Sequence, residues 1–326
     1  MAGSIETPER YPSTKVLFIM GWTRSGSTIL DSVLGALEGW VSAGELHYIW
    51  ERGLLEDRLC GCGKPLRECP FWADVWAAAY GRVEDRPDPR QVVAWQQQAV
   101  RTRHTPRLLR LGWVPTGWEP LDAYAPVAAA LYKGIGEVAG AEVVVDSSKR
   151  PSDAALLGVL PGVDPYFVHL VRDPRAVAYS WQRRKATLDL QGATDAEMPR
   201  HSSLYSAFGW LELNGGAELV RRRFGPHRSM LIRYEDFVAA PAATVEKIAR
   251  MAGEMPDDLP FTATHTVALQ PNHMAGGNPT RFNAGDVTLK PDTEWTKRLS
   301  LSSNLLTTLT DAPLLHRYRY PLLTQR

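Results

Sequence analysis

The chain is poor in cysteine, in net charge and in long apolar runs, and each shortage excludes a class of protein. Only three cysteines occur in 326 residues, and Cys60, Cys62 and Cys69 all fall within one ten-residue window. An odd, clustered set of this kind argues against a disulfide-stapled secreted scaffold. The net charge is +1, from 37 Lys and Arg against 36 Asp and Glu. Nucleic acid is therefore not an expected partner, because domains that bind it show a clear basic excess, and any bound anion must be gripped by a local cluster. No apolar run reaches the roughly eighteen residues of a membrane span. The polar start, MAGSIETPERYPSTK, lacks the basic-then-apolar order of a secretory signal. A cytoplasmic location with no membrane span is the expectation.

What is present follows α/β grammar. Four short aliphatic runs read as buried parallel strands: Lys15–Met20, Glu142–Asp146, Tyr166–Val171 and Ser229–Arg233. Helical patterns follow three of them, at Thr28–Leu37, Arg175–Arg184 and Ala242–Met251. Strand, turn and helix repeated with right-handed crossovers place the turns on one sheet edge, where ligands bind. Residues 50–126 break this rhythm and read as a helical insertion or cap, including a helix over Pro89–Thr102, within a single domain spanning 1–326. Pro256–Pro291 is rich in Pro, Gly, Asn and Thr and is expected to be mostly loop. The tail from Thr293 reads as a helix with a basic, aromatic end.

The stretch VLFIMGWTRSGSTILDSVLGAL is the most informative. Gly21 and Gly26 have the spacing of the two glycines of a phosphate-binding loop, entered from a strand and left by a helix. Backbone N–H groups of such a turn attract an anion. Arg24, Ser25, Ser27 and Thr28 add a guanidinium and three hydroxyls. Ser27 stands where an ATPase or kinase carries lysine, and the cation lies three residues earlier, at Arg24. That suits a donor whose transferred group adjoins its first phosphate better than it suits a triphosphate. A second segment, RDPRAVAYS, puts Arg172 at a strand end and Ser180 about two helical turns on, an arginine–serine pair able to hold a phosphate. Asp173 either caps that helix or pairs an arginine. GGNPTRF offers Arg281 on a loop, with Asn272 and Asn278 nearby.

In combination these segments resemble the PAPS-dependent sulfotransferases, especially the branch with tyrosylprotein sulfotransferases and many bacterial small-molecule enzymes. PAPS is 3′-phosphoadenosine 5′-phosphosulfate. Residues 23–28, TRSGST, match the family's 5′-phosphosulfate loop, with Thr23 replacing the usual proline and Ser27 the first threonine. Arg172 and Ser180 match the 3′-phosphate motif, and the GNPTRF segment places Arg281 near that phosphate. The resemblance implies that Glu45, in the pair Gly44-Glu45, is the catalytic base, with His47 as its rival. It also implies that Lys149, after the second predicted strand, contacts the sulfuryl group. The implied reaction moves sulfuryl from PAPS to a hydroxyl of an aromatic, lipid-like or glycosylated small molecule, leaves PAP, and needs no metal. The expected fold is a P-loop-type three-layer α/β fold, with a central parallel sheet flanked by helices and the helical cap; a monomer or weak homodimer is expected. A P-loop kinase or NTPase, and a non-catalytic nucleotide-binding protein, remain alternatives. The cysteine cluster is outside the resemblance. It reads as three zinc ligands needing a fourth, such as a histidine, or as a buried reduced cluster or redox-sensitive pair.

Overall fold

The computed structural model describes residues 13–183, 187–190 and 199–322. The polar start, and Arg184 at the end of the helix expected after the third predicted strand, lie outside these residues. Five strands form one parallel sheet: β1 (Thr14–Met20), β2 (Trp40–Gly44), β3 (Val143–Lys149), β4 (Val163–Val171) and β5 (Ser229–Arg233), in the order β2-β3-β1-β4-β5. β1 is central because both of its faces are apolar. Val16, Phe18 and Met20 pack on one side with Val75, Ile135 and Leu156. Leu17 and Ile19 pack on the other with Leu30, Val33, Val245 and Ile248. Alternation along a strand sends successive side chains to opposite faces, so a continuous aliphatic run is what a helix-covered sheet requires. The result is an α/β fold with a central parallel sheet flanked by helices.

Three differences from the sequence reading have physical causes. β2, WVSAG, escaped notice because Ser, Ala and Gly give it little aliphatic character, and it is held at the sheet edge by pairing with β3. β3 continues three residues past Asp146, through polar Ser147, Ser148 and Lys149, because buried carboxylates take up the serine hydroxyls. Pro256–Pro291 is mostly loop but also carries three strands the sequence reading did not include, β6 (Phe261–Ala263), β7 (Thr266–Leu269) and β8 (Gly285–Thr288), which form a small antiparallel sheet. These strands have three or four residues each, too short for periodicity; β6 and β7 are joined by Thr264 and His265, which carry no Gly, Asn or Asp hairpin signal, and β8 reaches its partner from about twenty residues away in sequence.

Residues 50–126 contain helices at Pro70–Tyr80 and Pro89–Ala99, and the helix Glu119–Ala139 runs through Pro126 rather than stopping there. The expected helices after β1, β4 and β5 lie at Ser27–Leu34, Pro174–Gln182 and Pro241–Ala252, and the tail forms a helix over Leu301–Arg317. Among the described residues no helix is long and apolar enough to cross a membrane.

One carboxylate ties the first helix to the sheet. Asp31 is fully buried and accepts hydrogen bonds from Ser42 Oγ (2.5 Å) in β2 and Ser147 Oγ (2.6 Å) in β3. Burial pushes its pKa up to about 7, against the lowering effect of both hydroxyls. A folded pKa above the unfolded one means that the native state binds the proton more tightly. Stability from this group is therefore fully present below the ordinary carboxylate range and is lost as pH rises through about 7. Asp31→Asn should remove part of that slope. Between about pH 5 and about pH 8 the unfolding free energy of the variant, from urea melts, should fall less than that of the parent, by at most about a few kcal/mol. Equal slopes would show that Asp31 does not titrate with folding.

Candidate active site

The loop after β1 is built on two left-handed backbone positions. Arg24 has φ 69° and Gly26 has φ 92°. A Cβ at Gly26 would lie 2.5 Å from the Tyr234 ring, so only glycine fits there. The chain then enters the helix Ser27–Leu34 with Gly26 as N-cap and no side-chain cap, which leaves the first-turn N–H groups available to an anion. Thr28 Oγ1 accepts from the Asn278 backbone N–H at 3.2 Å. Arg24 Nη1 donates to Asn278 Oδ1 at 2.7 Å, and its guanidinium lies 4.8 Å from the centre of the Trp181 ring. Ser25 and Ser27 are buried beneath the loop, and Ser25 Oγ has no hydrogen-bond partner among the described residues.

β4 delivers the second arginine. Arg172 is buried, donates from Nη1 to the Arg24 carbonyl (3.0 Å) and from Nη2 to Asp292 (2.9 Å), and lies 4.7 Å from the centre of the Tyr234 ring. Asp173 does both things expected of it: it caps the next helix through the Arg175 N–H (2.9 Å) and pairs the Arg175 guanidinium (2.6 Å). Arg172 and Ser180 line a cavity of about 440 Å³ together with Gly26, Thr28, Tyr234 and Asp292.

A second cavity, of about 990 Å³, holds the other charged groups. Glu45 follows Gly44 at the end of β2, with its N–H donating to the Ala275 carbonyl (2.7 Å). Its Oε1 accepts from Lys149 Nζ at 2.6 Å, and Lys149 also donates to the Ser147 carbonyl (2.9 Å). Both side chains are buried. Burial would push the Glu45 carboxyl up, but Lys149, Arg52 and Arg281 together outweigh it and hold the pKa below its ordinary value. Burial pulls the Arg24 guanidinium down, against the raising effect of Glu45. Trp22, Trp181, His201, Tyr205 and Phe208 give this cavity an aromatic wall. Arg24, Leu188, Asn278 and Pro279 line both cavities, so Arg24 stands where they meet.

Two sequence candidates sit apart from these groupings. His47 is not among the residues lining either cavity. Its Nδ1 is 2.7 Å from Asp153 and its carbonyl accepts from Gln96. Arg281 lines the larger cavity, with Glu45, rather than the smaller one with Arg172 and Ser180. It donates to the carbonyls of Gly277 (2.8 Å) and Leu59 (3.2 Å) and faces Asp189 at 3.4 Å. Sequence reasoning passed over Tyr234 and Asp292. Tyr234 is the first residue beyond β5, a position on the same sheet edge as Arg24 and Arg172, and that was its only signal. Asp292 carries none.

An uncapped helix start, a buried orphan hydroxyl and buried arginines at one sheet edge are the equipment of an anion-binding α/β enzyme. The model of the sulfotransferase family matches residues 17–258, and the chain belongs to that family. It is accordingly an enzyme, a sulfotransferase. The fold is similar to that of the sulfotransferase domain from the curacin biosynthetic pathway, at 17% identity and a TM-score of 0.52, covering 97% of this chain and 100% of that one. It is similar also to the sulfotransferase domain of the Synechococcus PCC 7002 olefin synthase, at 19% identity and a TM-score of 0.50, covering 98% and 100%. No curated protein matches the chain. Family membership implies a nucleotide-sulfate donor, PAPS, and the uncapped helix start, Ser25 Oγ and Arg172 fit such an anion.

Gly26→Ala should damage the loop without touching any charged group. Its strained φ and the clash with Tyr234 predict a loss of about 1–3 kcal/mol in stability. Thermal melts and PAP titrations of the variant should show a lower midpoint and weaker binding, whereas a parent-like variant would mean that the loop relaxes freely.

Proposed function

We propose that this enzyme transfers a sulfuryl group from PAPS to a hydroxyl of a small molecule by direct in-line displacement. The supporting observation is the position of Arg24. It joins a cavity bearing Arg172 and Ser180 to one bearing Glu45, Lys149 and an aromatic wall. In this reading the loop after β1 works as a P-loop-type anion cradle. The smaller cavity receives the nucleotide, with Arg172 and Ser180 on its 3′-phosphate and the N–H groups of Ser25, Gly26, Ser27 and Thr28 on the 5′-side. PAPS supplies an activated sulfuryl group on a phosphate leaving group. Arg24 and Lys149 balance negative charge where the cavities meet. Glu45 takes the proton of the acceptor hydroxyl as that oxygen attacks. Glu45 is preferred to His47 because it lines the cavity with Lys149, while His47 is engaged by Asp153 and Gln96. Arg281 supports Glu45 electrostatically rather than binding the 3′-phosphate.

The aromatic wall favours an acceptor with an apolar, ring-bearing or lipid-like body. The chain acts as one domain in this reading, with the 50–126 helices as a cap contributing Arg52, Arg58 and Thr102 to the acceptor side.

Calorimetric titration with PAP beside ATP and magnesium tests the reading. PAP should bind and ATP should not; the reverse would favour a kinase-like enzyme and sink the proposal. Arg172→Ala should weaken PAP binding about ten- to a hundredfold, the worth of one charged hydrogen-bonding group. Glu45→Gln should leave PAP affinity near parental and lower kcat by about 10²–10⁴. The lowered Glu45 pKa sets the pH profile: the base stays ionised through neutrality, and kcat/KM falls on the acid side only below the ordinary carboxylate range. An acid limb near neutral pH would point instead to a histidine.

A further inference from the structure

The cysteine window acquires a fourth member in the fold. Cys60 and Cys69 are buried and Cys62 is half-buried, and all three are free thiols. His273, some 200 residues further along the chain, brings Nδ1 to 3.3 Å from Cys69 Sγ and 3.8 Å from Cys60 Sγ. Cys62 and Cys69 Sγ are 3.7 Å apart, and the four donor atoms all lie within 4.8 Å of one another. Metal–ligand bonds of about 2.3 Å to sulfur and about 2.0 Å to nitrogen place tetrahedral neighbours about 3.8 Å apart for two sulfurs and about 3.5 Å for sulfur and nitrogen. The S–N separations of 3.3 and 3.8 Å straddle the second value, and the S–S separation of 3.7 Å lies at the first. A disulfide would need the sulfurs at about 2.0 Å.

The surroundings are built to hold this geometry. Gly61 separates the first two cysteines, and a Cβ there would lie 2.1 Å from Asn272 Oδ1, so only glycine lets the two segments approach. Its N–H donates to the Met274 carbonyl (3.0 Å). The His273 ring is stacked on Phe71 with centroids 4.7 Å apart, and the His273 carbonyl accepts from Trp72 Nε1 (2.9 Å). Ring and backbone are thus both restrained with Nδ1 turned toward the thiols. Arg281 donates to the carbonyl of Leu59, beside Cys60, which sets a cation next to a centre that three thiolates would make negative.

We propose that Cys60, Cys62, Cys69 and His273 bind one zinc ion in a closed, structural Cys₃His site. On binding, the three thiols release their protons and the ion takes up four protein ligands, leaving no open position for chemistry. The site clamps the 60–69 loop onto the segment that carries Ala275 and Asn278. Ala275 brackets the end of β2 by accepting from the Glu45 N–H (2.7 Å) and donating to the Ala43 carbonyl (2.9 Å), and Asn278 holds Arg24. The ion would therefore fix both sides of the candidate active site from outside it. The site itself stands apart from the proposed reaction; only this positioning effect rests on it.

The test is elemental analysis of the full-length protein, purified without an immobilised-metal column or chelator. About one zinc per chain is expected, falling below about a tenth in Cys62→Ser and in His273→Ala, with Cys62→His restoring it. Cobalt added after chelation should give the visible bands of a tetrahedral thiolate site in the parent, a readout that no variant's folding can obscure. Zinc removal should lower the melting temperature and weaken PAP binding severalfold. A parent protein that carries no zinc and takes up neither zinc nor cobalt, or a thiol count showing Cys62 and Cys69 oxidised to a disulfide in the active protein, would overturn the site. Zinc present with no PAP binding would leave the site standing and remove the sulfotransferase reading instead.

Discussion

Glu45 and Lys149 meet at 2.6 Å in the interior, at the ends of β2 and β3. A lone buried carboxylate would be expensive to ionise, and the cations around Glu45, Lys149 first, hold its pKa below the ordinary value. The pair is not electrically isolated. Arg52 and Arg281 lower the Glu45 pKa, and Glu45 in turn supports the charge of Arg24. Against Glu45, Asp189 and Glu212 the larger cavity sets Arg24, Arg52, Arg58, Lys149, Arg150 and Arg281, and the positive surplus is what an anionic ligand would complement. The chain's +1 net charge conceals this local concentration.

The sheet makes the concentration possible. In parallel strands the turns that follow the carboxyl ends lie on one edge, so Arg24, Glu45, Lys149, Arg172 and Tyr234, scattered over more than two hundred residues, arrive together. β1 lies between β3 and β4, which places its loop between the Lys149 and Arg172 ends. Left-handed φ at Arg24 and Lys149 is backbone strain of a kind found where a site has to be held in shape. The surroundings enforce it: Arg172 grips the Arg24 carbonyl, and Lys149 is anchored to Ser147 and Glu45.

Much of this is legible in the sequence. Gly21 and Gly26 with a strand before and a helix after, and an arginine eight residues ahead of a serine, are local patterns whose meaning depends on short spacing. The strands around Val16 and Val168 announced themselves by continuous aliphatic character. β2 did not, because its residues are small and its stability comes from β3. The small sheet of β6, β7 and β8 was hidden for the same reason: a four-residue strand is defined by its partner. Arg281 was readable as a cation on a loop, but not as a neighbour of Glu45, because that depends on how the 270–282 segment lies against the end of β2.

By itself the sequence determined the α/β architecture, the glycine turn between its first strand and helix, and the roster of charged side chains, since these follow from local periodicity and spacing. Only the tertiary structure decided which of them meet. It brought Glu45 onto Lys149 and His47 onto Asp153, put Arg24 between two cavities, and carried His273 to three cysteines some two hundred positions away. The physical reason is that contacts between distant segments are set by strand order and by packing against the core, neither of which is written in any short window of residues.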